Sequence, residues 1–465
     1  MSRIRRIIPR GRTADGLVVI AIIVCASVIV IPLFIPRPPQ EVKLNILTFE
    51  DVIIQTIIED SFLESTYAEK YNIVDIEWIN FASSMWNILI GSGTVDLVLC
   101  PSSYISLFAE AGQLKHINRS VTQGLNETIA GVSMRGYDER QTIWACYGFY
   151  VTAFELIVNE TLLQENGLTI PETVDDLLSP QYCPIDPNAS LIGMEVPELL
   201  TIGHEFQHLL TTSRGWDNGI QNLTAIYANS RFFDQVGAAE QAIMNGEIGI
   251  TLTTFEGRAH EGLPSSLQRV HLEDQVVIIP DVVGIDNTTE HPRESEVFIE
   301  HLLSPECQAA LLQDIGSRMP IRREAFDLTS VHESIYTEFN WTTRSDGLGI
   351  NELLSGEDFP LWHYMNSTVF SVGENLTDCW IEVCNAYENG SIDLSSLEHY
   401  REMLGALLEV TDPYTLLNES FTHDYALEVL NNYYDVDYMD ELTYYLRVAA
   451  NQRYETIMAT LSLEI

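Results

Sequence analysis

Apolar and polar positions along the first part of the chain predict alternating strands and helices. Residues 43–49 (KLNILTF) and 73–81 (IVDIEWINF) alternate between apolar and polar side chains, as half-buried strands do, and a helix-like pattern begins at Val52. Residues 96–100 (DLVLC) form a short apolar run that is typical of a buried strand. Strands and helices that alternate at this spacing predict parallel pairing in an α/β sheet.

The same kind of pattern continues through the middle of the chain. Residues 143–159 are rich in Val, Tyr, Thr and Phe and predict a long strand, and residues 247–255 (EIGITLTTF) and 275–285 (QVVIIPDVVGI) predict two more. Residues 294–314 predict a helix.

The pattern changes from about residue 346 onwards. Tyr and Leu recur there at three- and four-residue spacing, so residues 405–412 (GALLEVTD) and 425–461 are predicted to be helical. Two interpretations of this part stay open. It is either an accessory helical extension packed on the rest of the protein or a surface that docks a partner.

The amino end predicts a membrane anchor. Residues 17–35 are uncharged and apolar, and a helix of this length spans about 28 Å, close to one bilayer core. Five arginines precede the segment and an acidic chain follows it, so residues 1–16 are expected in the cytoplasm and the rest outside. Residues 36–41 form a proline-rich stalk. A cleaved signal peptide is the alternative, but no small-residue cleavage site follows the apolar run.

Charge narrows the class of ligand. The formal net charge is −43, and the part after residue 40 holds 18 basic and 66 acidic side chains. Nucleic-acid binding depends on basic surfaces, so this composition excludes it as the main function. The acidity predicts either a solvated exterior or a field that concentrates a cationic ligand.

Sequons and cysteines fit an extracellular location. Eleven asparagines begin the N-x-S/T pattern and are glycosylation candidates: Asn118, Asn126, Asn159, Asn188, Asn222, Asn287, Asn340, Asn366, Asn375, Asn389 and Asn418. With Cys25 in the predicted membrane segment, six cysteines remain, an even number compatible with disulfides. The short separation of Cys379 and Cys384 predicts a bridge between them. The partners of Cys100, Cys146, Cys183 and Cys307 stay open, although the first two lie on predicted strands of one unit.

Two distant segments resemble a known family. Residues 154–182 (FELIVNETLLQENGLTIPETVDDLLSPQY) and 294–323 (ESEVFIEHLLSPECQAALLQDIGSRMPIRR) resemble matching segments of family 1 extracellular solute-binding proteins. Residues 95–117 and 242–259 add weaker matches in the right order. The resemblance covers roughly Val42 to Ala325. It implies a two-lobed α/β fold of the type II periplasmic-binding-protein class, with a hinge and a central cleft.

The resemblance also implies an organisation and a set of site residues. Lobe 1 is expected at 42–149 and 275–330, lobe 2 at 150–274, and a mainly helical extension at 331–465. Cleft loops at strand ends supply the expected ligand contacts. These are Phe49, Glu50, Ser102, Tyr104, Trp144, Tyr147, Glu195, Phe255, Glu256 and Arg258.

The expected solute is small and cationic or metal-bearing, with a sugar as the second choice. Residues 171–182 (PETVDDLLSPQY) resemble the iron, thiamine and polyamine branches of the family more than the maltose branch. The resemblance implies capture of this solute for the permease subunits of an ABC importer, with no catalysis and no cofactor.

One motif favours a different class. Residues 204–208 (HEFQH) match the zinc-peptidase pattern, in which His204 and His208 would share a zinc ion and Glu205 would be the general base. None of the usual downstream signatures for a third ligand follows it. A membrane-anchored zinc metallopeptidase is therefore the alternative function.

Overall fold

The protein is described here by a computed structural model. It describes residues 41–81, 85–102, 105, 108–109, 111–118, 120–125, 128–129, 132–137, 144–184, 186, 190–196, 202–235, 237–254, 263–270, 272, 278–314, 319–330, 358–433 and 435–465. The predicted basic tail and membrane segment lie outside these residues. Within them, no helix combines the length and the apolar character needed to cross a membrane.

Sixteen strands are found in the described ranges. In chain order they are β1 (Val42–Thr48), β2 (Ile73–Ile79), β3 (Leu97–Pro101), β4 (Leu114–Lys115), β5 (Thr128–Ile129), β6 (Val132–Ser133), β7 (Arg135–Tyr137), β8 (Trp144–Asn159), β9 (Ile192–Glu195), β10 (Ser230–Phe233), β11 (Ile250–Thr254), β12 (Leu267–Val270), β13 (Ile278–Asp286), β14 (Met319–Pro320), β15 (Glu409–Thr411) and β16 (Asn418–Ser420).

The α-helices of the same ranges are α1 (Val52–Leu63), α2 (Thr66–Tyr71), α3 (Trp86–Leu89), α4 (Glu160–Glu165), α5 (Val174–Leu177), α6 (Ile202–Arg214), α7 (Trp216–Ala228), α8 (Ala238–Met244), α9 (Pro292–Leu302), α10 (Pro305–Asp314), α11 (Asp358–Met365), α12 (Gly373–Glu388), α13 (Leu394–Gly405), α14 (His423–Asn431) and α15 (Val436–Glu464). Short 3-10 turns cover Pro180–Tyr182 and Arg323–Leu328, and a π-helical turn covers Asn366–Phe370.

The first lobe is built on the strand order β2-β1-β3-β13-β8. Strand β1 pairs in parallel with β2 and β3, while β13 runs antiparallel to both β3 and β8. Because β1 and β3 are parallel, their carboxyl ends meet at one edge of the sheet, as the alternating pattern predicted. The inward side chains Leu44 and Ile46 of β1 pack with Phe62 of α1 in the core of this lobe.

Strand β8 joins the two lobes. Its residues 146–153 pair with β13 of the first lobe, and its residues 154–158 pair with β11 of the second. The second sheet then continues in the order β8-β11-β9-β10. One strand that exchanges partners between two sheets is a natural hinge, because the two sheets can rotate about its middle. This mixed α/β arrangement confirms the predicted type II fold.

Two details of the prediction are wrong. The helix predicted at 294–314 is two helices, α9 and α10, because Pro305 cannot continue a helix and instead opens the second one. Of residues 405–412 only Gly405, the last residue of α13, is helical, because β15 pairs with β16 in a small antiparallel hairpin.

The carboxyl-terminal helices share a core with the second lobe. Leu223 of α7, Trp380 of α12 and Leu446 of α15 belong to one continuous apolar cluster. Gly405 of α13 lies so close to α7 that a Cβ atom there would stand 2.6 Å from the Cα of Gln221. Helices α11–α15, at 358–464, are therefore packed on the second lobe as an accessory unit, here named the extension.

Candidate functional site

Glu50 lies at the edge where β1 ends and α1 begins. Its side chain is 7% exposed and accepts a hydrogen bond from the phenolic hydroxyl of Tyr150 on β8. The backbone of Glu50 is fixed as well, because its N–H donates to Thr48 Oγ1 at 2.9 Å and Gln55 Nε2 donates to its carbonyl at 2.6 Å. The carboxylate is thus held in one position at the end of the strand.

A second carboxylate and a hydroxyl lie at the same edge. Asp281, also 7% exposed, is the β13 residue paired with both Pro101 of β3 and Tyr150 of β8. Ser102 follows Pro101, is fully buried, and its hydroxyl has no hydrogen-bond partner among the described residues. Glu50, Asp281, Tyr150 and Ser102 are all buried at this edge of the sheet, which is named here the acidic edge.

The acidic edge affects a nearby thiol. The pKa of Cys100 is raised well above its ordinary value, chiefly because the side chain is buried, and also by the charges of Cys146, Asp281 and Glu50. Because Asp281 and Glu50 both raise this pKa, both carboxylates lie within electrostatic range of the Cys100 side chain.

The amino end of α1 does not offer its backbone to an anion. Asp51 accepts hydrogen bonds from the N–H groups of Ile53 and Ile54 at 2.7 and 3.0 Å. Free amides at a helix amino end are a common anion site, and here a carboxylate of the chain already occupies two of them.

An aromatic pair borders the acidic edge. Phe49 stacks on Trp86 with ring centroids 3.9 Å apart and an angle of 8° between the planes. Trp86 is fully buried and donates its indole N–H to the Phe81 carbonyl at 3.0 Å. Phe49 is half-buried, so its ring is the part of the pair that a ligand can contact.

The extension reaches the first lobe at this place. Phe359 of α11 belongs to the same apolar cluster as Trp86, and Tyr433 packs against that cluster. The ring of Phe359 also contacts the ring of His204 on α6, with the two ring centroids 6.3 Å apart. Phe359 therefore lies between the first lobe and helix α6 of the second.

Two of the predicted contact residues, Tyr147 and Glu195, lie elsewhere or have another contact. Tyr147 is 1% exposed and packs inside the first-lobe core. The Glu195 carboxylate accepts hydrogen bonds from the N–H groups of Gly237, Ala238 and Ala239 at the start of α8, and burial raises its pKa. Trp144 begins β8, but its side chain is not among the described ones. Tyr104, Phe255, Glu256 and Arg258 lie outside the described residues.

The sequence matches a family over residues 65–335, more than half of the chain, and that family is described as bacterial extracellular solute-binding proteins. The chain belongs to this family. This match confirms the family predicted from the resemblance. Solute-binding proteins of this kind serve ABC transporters. The extension lies beyond the matched residues.

Solved structures share the fold of this solute-binding protein. A ferric binding protein from Campylobacter jejuni aligns with a TM-score of 0.53 at 13% identity, over 69% of this chain and 98% of that one. A solute-binding protein of an ABC transporter from Thermotoga lettingae, bound with α-D-tagatose, aligns with a TM-score of 0.53 at 15% identity, over 74% and 99%. Comparison with curated proteins gives no match.

The HEFQH motif of the solute-binding protein lies on α6. His204 and His208 are 0% and 1% exposed, and Gln207 between them donates to the Tyr227 hydroxyl at 3.2 Å. The side chain of Glu205 is not described. Across the described ranges, no group of three or more His, Cys, Asp or Glu side chains could hold a metal ion. Both histidines are buried, and the ring of His204 lies against Phe359 of the extension.

The predicted Cys379–Cys384 bridge is wrong. Both residues are thiols on one helix, α12, and five positions on an ideal helix separate two Cα atoms by about 8–9 Å. That separation is too long for a disulfide. Cys379 Sγ instead contacts the Tyr454 carbonyl at 3.7 Å. Cys100 and Cys146 are also separate, since β13 lies between their strands.

The sequons differ in accessibility. Asn159 is buried and caps α4 by accepting from the Leu162 N–H at 3.1 Å, so the structure argues against modification there. Five sequon asparagines are exposed, namely Asn118, Asn287, Asn375, Asn389 and Asn418, whereas Asn222 and Asn366 are half-buried. Asn126, Asn188 and Asn340 lie outside the described residues.

Proposed function

We propose that this protein is the membrane-tethered receiving subunit of an ABC importer and that it takes a small cationic solute at the acidic edge. The family membership supports the binding role. The carboxylate of Glu50, buried where the hinge strand β8 passes the end of β1, is the observation that favours a cation.

The energetic reason is the cost of burying charge. A carboxylate taken out of water is destabilising unless hydrogen bonds or an opposite charge compensate it. Tyr150 supplies one hydrogen bond to Glu50, and Asp281 adds a second carboxylate to the same edge. A bound cation would be attracted by both carboxylates, and closure of the two lobes would strengthen the attraction by excluding water.

The reaction class is binding without chemical change. Movement about β8 would open and close the lobes, and the closed form would dock on the permease subunits. No step of this cycle alters a covalent bond of the solute, and no cofactor is required.

A neutral sugar is the second candidate. The stacked pair of Phe49 and Trp86 supports it, because a flat aromatic ring beside polar oxygens suits the apolar face of a sugar. The two candidates differ in their response to salt, since screening weakens an ionic contact much more than a stacking one.

The tether is residues 17–35, with the amino end in the cytoplasm and residues 40–465 outside. The support is the charge asymmetry on the two sides of the apolar run. Protease added to intact cells should remove everything after the stalk. Antibodies against residues 60–460 that react only after permeabilisation would contradict this topology.

Native mass spectrometry of the full-length protein, purified in detergent from its own host, tests the binding role directly. The expected result is a retained small solute that is lost when the protein is unfolded. A protein that carries zinc and cleaves casein, with both properties lost on His204→Ala, would replace this proposal with the peptidase.

A further inference from the structure

Two cysteines from distant parts of the chain meet where the extension packs on the second lobe. Cys183 follows the 3-10 turn Pro180–Tyr182, and Cys384 lies in α12. Both are free thiols, and they are neighbours: burial raises the pKa of Cys384, and the nearby Cys183 thiol raises it further. Both side chains contribute to the same apolar cluster, with Cys384 fully buried and Cys183 partly exposed.

The contact has independent support in the surrounding hydrogen bonds. Asn229, at the end of α7, donates from Nδ2 to the Leu177 carbonyl at 3.0 Å and accepts from the Trp380 indole at 2.7 Å. This side chain holds α12 against the segment that leads to Cys183. Cys384 lies one helical turn after Trp380, so it is on the same face of α12.

We propose that Cys183 and Cys384 form a disulfide that fastens the extension to the second lobe. Such a bond would close a loop of about 200 residues, and cross-links over long loops restrict the unfolded chain most. The proposal depends neither on the identity of the solute nor on the acidic edge.

The bond forms by exchange with an external disulfide, R–S–S–R. Cys183 is the more exposed thiol, so it loses its proton to water and attacks one sulfur of R–S–S–R, which releases one R–S⁻. Cys384 then gives its proton to this thiolate and attacks the Cys183 sulfur, which releases the second R–S⁻. The second thiolate takes up the proton left in water. The two protein thiols are oxidised, and the external disulfide is reduced to two R–SH.

Treatment of the reduced, full-length protein with oxidised glutathione tests the proposal without assuming where the protein resides. Peptide mapping by mass spectrometry, after free thiols are blocked, should recover a Cys183–Cys384 linked pair. The oxidised protein should melt about 5 °C above the reduced one. Protein from the host, blocked before unfolding, should contain the same pair.

Variants on the same helix sharpen the test. Cys379→Ser, which alters a buried thiol outside the pair, should still form the link. Cys384→Ser should leave Cys183 carrying glutathione and should remove the difference in melting temperature. Recovery of a Cys183–glutathione adduct beside a free Cys384 in the wild-type protein would overturn the proposal, and that result does not require any variant to fold.

Discussion

The phenolic hydroxyl of Tyr150 donates a hydrogen bond to the carboxylate of Glu50, although the two residues lie 100 positions apart in the chain. Tyr150 belongs to β8, the strand that joins the lobes, and Glu50 belongs to the loop that follows β1. The contact therefore ties the candidate site to the hinge. Any change that alters the angle of β8 must also alter the surroundings of the Glu50 carboxylate.

Tyr150→Phe should destabilise the protein by about 1–3 kcal/mol, because it removes a hydrogen bond from a buried carboxylate and leaves that group poorly solvated. The matched control is Tyr414→Phe. Tyr414 also donates to a carboxylate, that of Asp435, but Tyr414 is 60% exposed, so water replaces the lost contact. Urea denaturation measures the free energy of unfolding of both variants. Equal losses in the two variants would mean that burial of Glu50 has no energetic consequence.

The ion pair between Arg269 and Glu155 is the second test of buried charge. Their side chains are 4% and 1% exposed and lie on neighbouring strands, β12 and β8. Arg269→Met should lower the free energy of unfolding by about 3–5 kcal/mol, because it leaves the buried Glu155 carboxylate without this cation. Arg231→Met is the control, since the pair that Arg231 forms with Glu247 is partly exposed. A loss below 1 kcal/mol for Arg269→Met would contradict the expectation.

His301 should make stability fall in mild acid. Burial lowers its pKa to about 4, an effect that the nearby Glu306 charge opposes, and the ring shares a hydrogen bond with Ser61 at 3.0 Å. An unfolded histidine titrates near 6.5, so between about pH 6.5 and pH 4 the unfolded state binds more protons than the folded one. The stability from neutral His301 is therefore complete above pH 6.5 and is lost as pH falls towards 4.

The variant His301→Gln should show a smaller loss of unfolding free energy between pH 7 and pH 5 than the wild type. The difference in that loss should be about 1–2 kcal/mol, which chemical denaturation at each pH can measure. His399→Gln, at an exposed position of α13, is the matched control. Parallel profiles for His301→Gln and the wild type would show that this ring does not titrate differently on folding.

Phe359 should be important for the junction of the extension with both lobes. It is 2% exposed and packs between the Trp86 cluster and His204. Phe359→Ala should cost about 3–5 kcal/mol by loss of apolar burial and formation of a cavity. Leu463→Ala is the control, because Leu463 is 89% exposed near the end of α15. A change below 1 kcal/mol for Phe359→Ala would mean that the extension does not stabilise the junction.

Local patterns predicted much of the fold. Strands β1, β2 and β3 lie within one or two residues of the predicted runs, because alternation or an apolar run is a local consequence of burial. Residues 405–412 were predicted incorrectly, since the pairing of Glu409 with Ser420 depends on a partner strand that helical spacing does not reveal. Pro305 was the available signal for the break between α9 and α10.

The site was predictable only where it follows directly from strand ends. Phe49, Glu50 and Ser102 lie at or just after the ends of predicted strands, whereas Tyr150 and Asp281 reach the same edge through pairing with strands distant in sequence. Asp281 did leave a signal, as the one charged residue in the apolar run 276–285. No sequence signal indicated that Cys183 lies near Cys384, because their proximity depends on how the extension packs.

Titration calorimetry of the purified protein against ferric iron, thiamine, spermidine and a panel of oligosaccharides tests the central claim most directly. We expect one of the cations to bind, with an affinity that falls as salt is added. Glu50→Gln should weaken that binding by about tenfold or more, while Glu69→Gln, which removes an exposed charge on α2 of the same lobe, should not. Tight binding of a sugar that ignores salt, with no response to any cation, would contradict the cationic site.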